Sequence, residues 1–156
     1  MRADLRASQV APGAVLELEG RSFQVVGSLH FDMRGALWAE HCIKGEHGRP
    51  EWLSIRPRGE LTVVHWVARP ELEGEPGGAV LEMDGRTWSR IESGTARYSA
   101  EGHTGTGRSG SCEFVEYADG DSRLVYESFD GGVWEISVGR LVDRALVHCY
   151  REVAGA

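Results

Sequence analysis

The chain carries 24 acidic against 17 basic side chains over 156 residues, a net charge of −7. That balance argues against a nucleic-acid backbone or an anionic membrane surface as the principal partner, and it leaves cationic partners open. The first residues lack the apolar core of a signal peptide, and no run of about 18 apolar residues occurs anywhere, so the expectation is a cytoplasmic protein without membrane insertion.

Residues 1–12 read as a loosely packed polar lead-in. The next stretch, Gly13-Ala-Val-Leu-Glu-Leu-Glu-Gly-Arg-Ser-Phe-Gln-Val-Val-Gly-Ser28, recurs 65 residues later as Gly78-Ala-Val-Leu-Glu-Met-Asp-Gly-Arg-Thr-Trp-Ser-Arg-Ile-Glu-Ser93, with eight of sixteen positions identical. A match at one fixed offset reads as an internal duplication. Within each copy, a short apolar run, an acid-Gly pair and a β-branched or aromatic run predict a hairpin. Further strands are expected at Leu37–Lys44, Glu51–Ile55 and Leu61–Val67. The linker 69–77, rich in Pro, Gly and acid, separates a first repeat, 13–68, from a second, 78–156. Beyond the second hairpin, Gly94–Gly102 continues the β pattern. A glycine-rich loop follows to Gly110, then a meander through Cys112–Tyr117, Arg123–Phe129 and Val133–Val138, with turns at Asp119-Gly-Asp and Asp130-Gly-Gly. Residues 141–153 fit strand better than helix. No helical stripe is evident, so the prediction is all-β: two duplicated antiparallel half-sheets forming a barrel or sandwich within one domain.

Several motifs in order, Trp38-Ala-Glu-His, Trp52-Leu, Gly94-Thr-Ala-Arg-Tyr-Ser-Ala-Glu-Gly, Glu113-Phe-Val-Glu-Tyr and Tyr126-Glu-Ser-Phe-Asp-Gly-Gly-Val-Trp-Glu, resemble the bacterial domain of unknown function 4178 family across most of residues 13–150. The resemblance implies no particular activity. It implies only an association with polyamine-synthesis and membrane-stress genes.

Three widely spaced cysteines, Cys42, Cys112 and Cys149, fit reduced thiols and offer no Cys-x-x-Cys pair for a metal. His41 with His47 forms the densest histidine cluster, but on a strand His41 and Cys42 point to opposite faces, so no metal site is expected. Gly102-His-Thr-Gly-Thr-Gly107-Arg-Ser109 falls short of a phosphate-binding loop, because Arg108 stands where Lys is needed and a β pattern follows. No nucleophile and base come together, so neither catalysis nor a cofactor is expected. The five tryptophans read as core, with Trp66 a possible rim aromatic at a partner interface.

Glutamates on apolar strand faces are more informative. Alternation places Glu40 beside Trp38 and Cys42, Glu116 beside Phe114, Glu127 between Val125 and Phe129, and Glu135 beside Val133. A carboxylate that faces a core needs a partner, and Arg90, Arg97 and Arg123 are the candidate cations. Otherwise these acids line a cleft between the half-sheets, where Glu40, Glu116, Glu127 and Glu135, with Trp38 and Tyr117, would suit a cationic amine. The functional expectation is thus a non-enzymatic binding or scaffolding module that acts on a protein partner in a polyamine- or membrane-stress-linked system. The alternative is a sensor for a cationic small molecule.

Overall fold

In a computed structural model, residue 6 and residues 9–45, 49–58 and 60–151 are described. Most of the lead-in, Glu46 and His47 of the histidine cluster, and the last five residues lie outside them. The described residues form eleven strands: β1 (Ala14–Leu18), β2 (Arg21–Met33), β3 (Ala36–Lys44), β4 (Pro50–Arg58), β5 (Glu60–Ala68), β6 (Val80–Met83), β7 (Arg86–Gly102), β8 (Ser109–Asp119), β9 (Ser122–Phe129), β10 (Glu135–Val142) and β11 (Val147–Arg151). One 3-10 turn, Arg144–Leu146, precedes β11. The fold is all-β, and among the described residues no helix is long and apolar enough to cross a membrane.

All pairings are antiparallel, in the order β11-β1-β2-β3-β4-β5-β10-β9-β8-β7-β6, and β2 also pairs with β7. That last contact, Gly27–Asp32 against Arg97–Gly102, joins the two meanders and closes eight strands into a barrel. The other join is β5 against β10. An eight-stranded barrel is wide enough either to be filled by its own side chains or to hold one small ligand.

The two matching segments fold alike. Each hairpin turns through two residues with positive φ, Glu19 (49°) and Gly20 (81°) in the first and Asp84 (56°) and Gly85 (72°) in the second, as a two-residue turn between right-twisted strands requires. The strand after each turn contains a register shift, between Val25 and Gly27 in β2 and between Arg90 and Glu92 in β7. The extra residues, Val26 and Ile91, occupy equivalent positions in the two matching segments.

A bulge of this kind inverts the alternation. Ahead of it, Phe23 and Val25 in β2 and Trp88 in β7 point outside the barrel. Beyond it, Leu29 and Phe31, and Ala96 and Tyr98, point inside.

Two cores therefore lie outside the barrel wall. β1 and β11 cover Phe23, Val25, Ile43, Leu53, Ile55 and Val63 with Leu16, Leu18 and Val147. The β6 hairpin and the linker cover Tyr117, Leu124, Tyr126 and Ile136 with Trp88, Leu81 and Leu72. Each large apolar side chain so buried contributes about 1.5–3 kcal/mol. Val10 is also buried in the first outer core, so the end of the lead-in is tied down rather than loose.

The structure differs from the sequence reading at two strand ends. β4 runs on through Pro57, which pairs with Leu61, past the strand end expected at Ile55. Val133 and Trp134 belong to the β9–β10 loop, not to a strand, and Val133 is 82% exposed. The C-terminal strand is present from Val147, paired with β1.

Candidate functional site

The barrel interior contains a cavity of about 610 Å³. Its mouth is framed by the linker at Pro70 and Leu72, the glycine-rich loop at His103–Thr106 and the β9–β10 loop at Val133 and Trp134. Close packing holds the glycine-rich loop in place. The His103 N–H donates to the Val26 carbonyl, and a Cβ on Gly27 would sit 2.0 Å from the His103 carbonyl oxygen. Below the mouth, Trp52 and Trp66, direct cross-strand partners on β4 and β5, form one wall. Trp66 donates its indole N–H to Ser54 Oγ at 2.9 Å and lies over Gly139, where an added Cβ would come within 2.8 Å of the ring. Phe129 and Val125 of β9 line the same cavity.

The inner end is acidic. Glu40 on β3 and Glu127 on β9 project from walls four strands apart in either direction round the barrel, and their side chains hydrogen-bond to each other across the lumen. One carboxyl must hold a proton for this bond to form. Burial is the main reason that both groups hold protons far above the usual carboxylate range. The pKa of Glu40 is pushed up to about 7, against the opposing pull of its bond to Glu127 and of the Arg56 charge. Glu127 is raised further by the charges of Glu40, Glu135 and Glu116. Glu135, opposite Glu127 in the β9–β10 register and more exposed, is also raised by desolvation.

This pair separates the main cavity from a much smaller one lined by Phe31, Trp38, Arg56, Phe114 and Glu116. There Arg56 pairs with Glu92 and lies 3.7 Å from Glu116. Its guanidinium stands 5.1 Å from the centre of the Trp38 ring, which stacks on Phe31 at 5.2 Å. Among the described residues, the far end of the barrel is thus filled by an ion-pair network and aromatic rings, and the mouth lies at the opposite end.

Of the six residues singled out from the sequence, Glu40, Glu116, Glu127, Glu135 and Trp38 all face the lumen. Tyr117 does not. It follows Glu116 on β8, so alternation turns it to the opposite face, where it is fully buried in an outer core and donates its hydroxyl to the Gly77 and Gly78 carbonyls at 3.1 Å. Neither does the cation match: Arg123 donates to the carbonyls of Gly120 and Ser122, and Arg56 is the residue that reaches the lumen acids.

A family model described as Domain of unknown function (DUF4178) matches residues 11–144. The chain belongs to the DUF4178 family. It is similar to the "Uncharacterized protein Rv2597" of Mycobacterium tuberculosis and to the "Uncharacterized protein Mb2628" of Mycobacterium bovis, 35% identical to each over 143 residues that span 86% of this chain and 68% of the relative. No solved structure matches significantly.

Outside the lumen, this DUF4178 barrel buries one further polar pair that the sequence did not suggest. Ser28 Oγ and His41 Nδ1 are 2.7 Å apart on the outer face, and desolvation lowers the His41 pKa to about 4, so the ring is neutral. His41 is 1% exposed and lines neither cavity. Cys42 and Cys112 face the lumen side with thiols that burial raises, which disfavours the nucleophilic thiolate. Among the described residues no group of His, Cys, Asp and Glu is arranged to hold a metal ion.

Proposed function

We propose that the barrel is a binding module for one small cationic amine, taken into the lumen with its charge at the inner end. The observation that carries this reading is the Glu40–Glu127 pair at the base of a tryptophan-walled cavity open at one end. A buried acid pair is unfavourable in an empty site, because desolvation forces it to retain protons. A cation delivered to it restores the ordinary carboxylate state, and the faces of Trp52 and Trp66 add cation–π and apolar contact. A cavity of this size matches the range of small-molecule sites. The raised thiols of Cys42 and Cys112 disfavour nucleophilic catalysis in the lumen.

The test is thermal denaturation of the full chain with a panel of amines at matched ionic strength, with E40Q/E127Q as control. Saturation at 100 times the dissociation constant adds about 2.7 kcal/mol of stability. A shift that is equal in wild type and variant would refute lumen binding.

One observation favours a protein partner as well. β6 and β11 end the sheet order, each with one edge unpaired by any other strand among the described residues, and they carry the exposed Val80 (63%) and Tyr150 (46%). Such edges accept an added strand. A pull-down in which proline substitutions along β6 or β11 leave capture unchanged would remove that reading.

A further inference from the structure

We propose that the site selects amines by their N–H groups: the ligand is a primary or secondary ammonium on an apolar body, and it binds by taking the place of the proton shared between Glu40 and Glu127. The inference rests on the cationic-amine reading and narrows it to one chemical class. The argument begins with the bridge itself. Glu40 and Glu127 come from opposite walls and meet within hydrogen-bond reach, so their oxygens face each other across a gap that one donor already spans. An ammonium with at least two N–H groups can donate to both carboxylates at once. A quaternary ammonium has no N–H, and its methyl groups would force the two oxygens apart.

The body of the ligand follows from what lies between the bridge and the mouth. The walls there are Leu29, Trp52, Trp66, Val125 and Phe129, which accept a ring or alkyl chain and offer little to a second charge. Glu135, the register partner of Glu127, belongs to the acidic end, and near the mouth Lys44 adds a positive charge that opposes a second ammonium. This arrangement favours a monoamine with an aromatic or aliphatic body over a polycation.

The exchange balances in charge and atoms. An ammonium of charge +1 meets a pair holding one proton and charge −1. The product is an ammonium held by two carboxylates, net −1, and one proton passes to solvent. The charged and titratable groups facing the pair are Arg56 from β4, Glu116 and Cys112 from β8, Glu135 from β10, and Glu92 from β7 through Arg56. Arg56 is already paired with Glu92 and close to Glu116, so it remains a floor beneath the bridge while the proton leaves.

The experiment is isothermal titration of the full chain with phenethylamine, its N,N,N-trimethyl counterpart and 2-phenylethanol, near neutral pH, in buffers of different ionisation enthalpy. The expected result is that the primary amine binds at least about tenfold tighter than the trimethyl compound, because charge-assisted hydrogen bonds to both carboxylates are made only by the former. About one proton should be released per amine bound, and E127Q should abolish the release. Equal binding of the two cations without proton release would overturn this inference and leave the broader amine reading intact, the charge then being read by tryptophan faces alone. Binding of the alcohol but of neither cation, or of none of the three, would count against the amine reading and take this inference with it. The proton count is read on the wild-type protein, so it decides the question even if the variant fails to fold.

Discussion

Replacing Glu40 with glutamine should stabilise the protein, and the gain should grow with pH. In the fold its carboxyl titrates near pH 7, against about 4.5 for an exposed glutamate. Between those values the native state keeps a proton that the unfolded chain has released, so stability falls as pH rises through that window. At about 1.36 kcal/mol per pH unit, the full penalty is up to about 3 kcal/mol above pH 7. Glutamine cannot ionise, can still hydrogen-bond to Glu127 and has nearly the same shape, so the variant escapes the penalty. His41 shifts the other way: its pKa is lowered to about 4, so it adds stability that is lost as pH falls below the ordinary histidine range. It is common to both proteins and drops out of the comparison. Urea denaturation at about pH 5 and pH 8 should give near-equal stabilities at the lower pH. At the higher pH E40Q should lead by up to about 3 kcal/mol, or roughly 6–12 °C in Tm for a chain of this size. Parallel curves across the range would show that Glu40 is well solvated or fully compensated, and the description of an acid pair strained by burial would be wrong.

Arg56→Met should cost roughly 3–5 kcal/mol in chemical denaturation, because it withdraws the guanidinium that pairs with Glu92 and lies near Glu116 inside the barrel. Gly139→Ala should cost about 1–3 kcal/mol and change the tryptophan fluorescence, since the new methyl group would meet the Trp66 ring and the His65 carbonyl oxygen, 2.7 Å away. A variant as stable as wild type with an unchanged spectrum would contradict that packing. Alkylation of the native protein should spare Cys112, which is fully buried and whose thiol is raised by burial, until denaturant is added; prompt native labelling would contradict its burial.

How far the sequence leads to this site depends on which step is asked of it. The strands and both hairpins follow from apolar alternation and the acid-Gly turns. Alternation also picks out Glu40, Glu116 and Glu127 as inward-facing, because each shares its phase with a neighbouring Trp, Phe or Val. The same rule, applied to adjacent residues, separates Tyr117 from Glu116. Arg56 is missed because the expected strand stops at Ile55, ahead of Pro57, although Trp52, Ser54 and Arg56 continue one face. The bulges at Val26 and Ile91 have no local signature: both positions hold ordinary β residues, and only the pairing register reveals them. Least legible is the contact of Glu40 with Glu127, 87 positions apart, which exists only because β2 pairs with β7 and brings opposite walls within reach.

The two bulges make single-residue indels unequal in severity along this chain. A residue lost from the glycine-rich loop shortens a rim. A residue lost at Ser28 or Thr95 would put the rest of that strand out of phase, presenting Leu29 and Phe31, or Ala96 and Tyr98, to the exterior, whereas loss of Val26 or Ile91 removes the extra residue and leaves Val25 opposite Ile43 and Gly27 opposite Cys42, or Arg90 opposite Tyr117 and Glu92 opposite Glu116. Each long strand thus has one place where a residue can be dropped without exchanging lining for casing, and elsewhere along it the residue count decides whether there is a chamber at all.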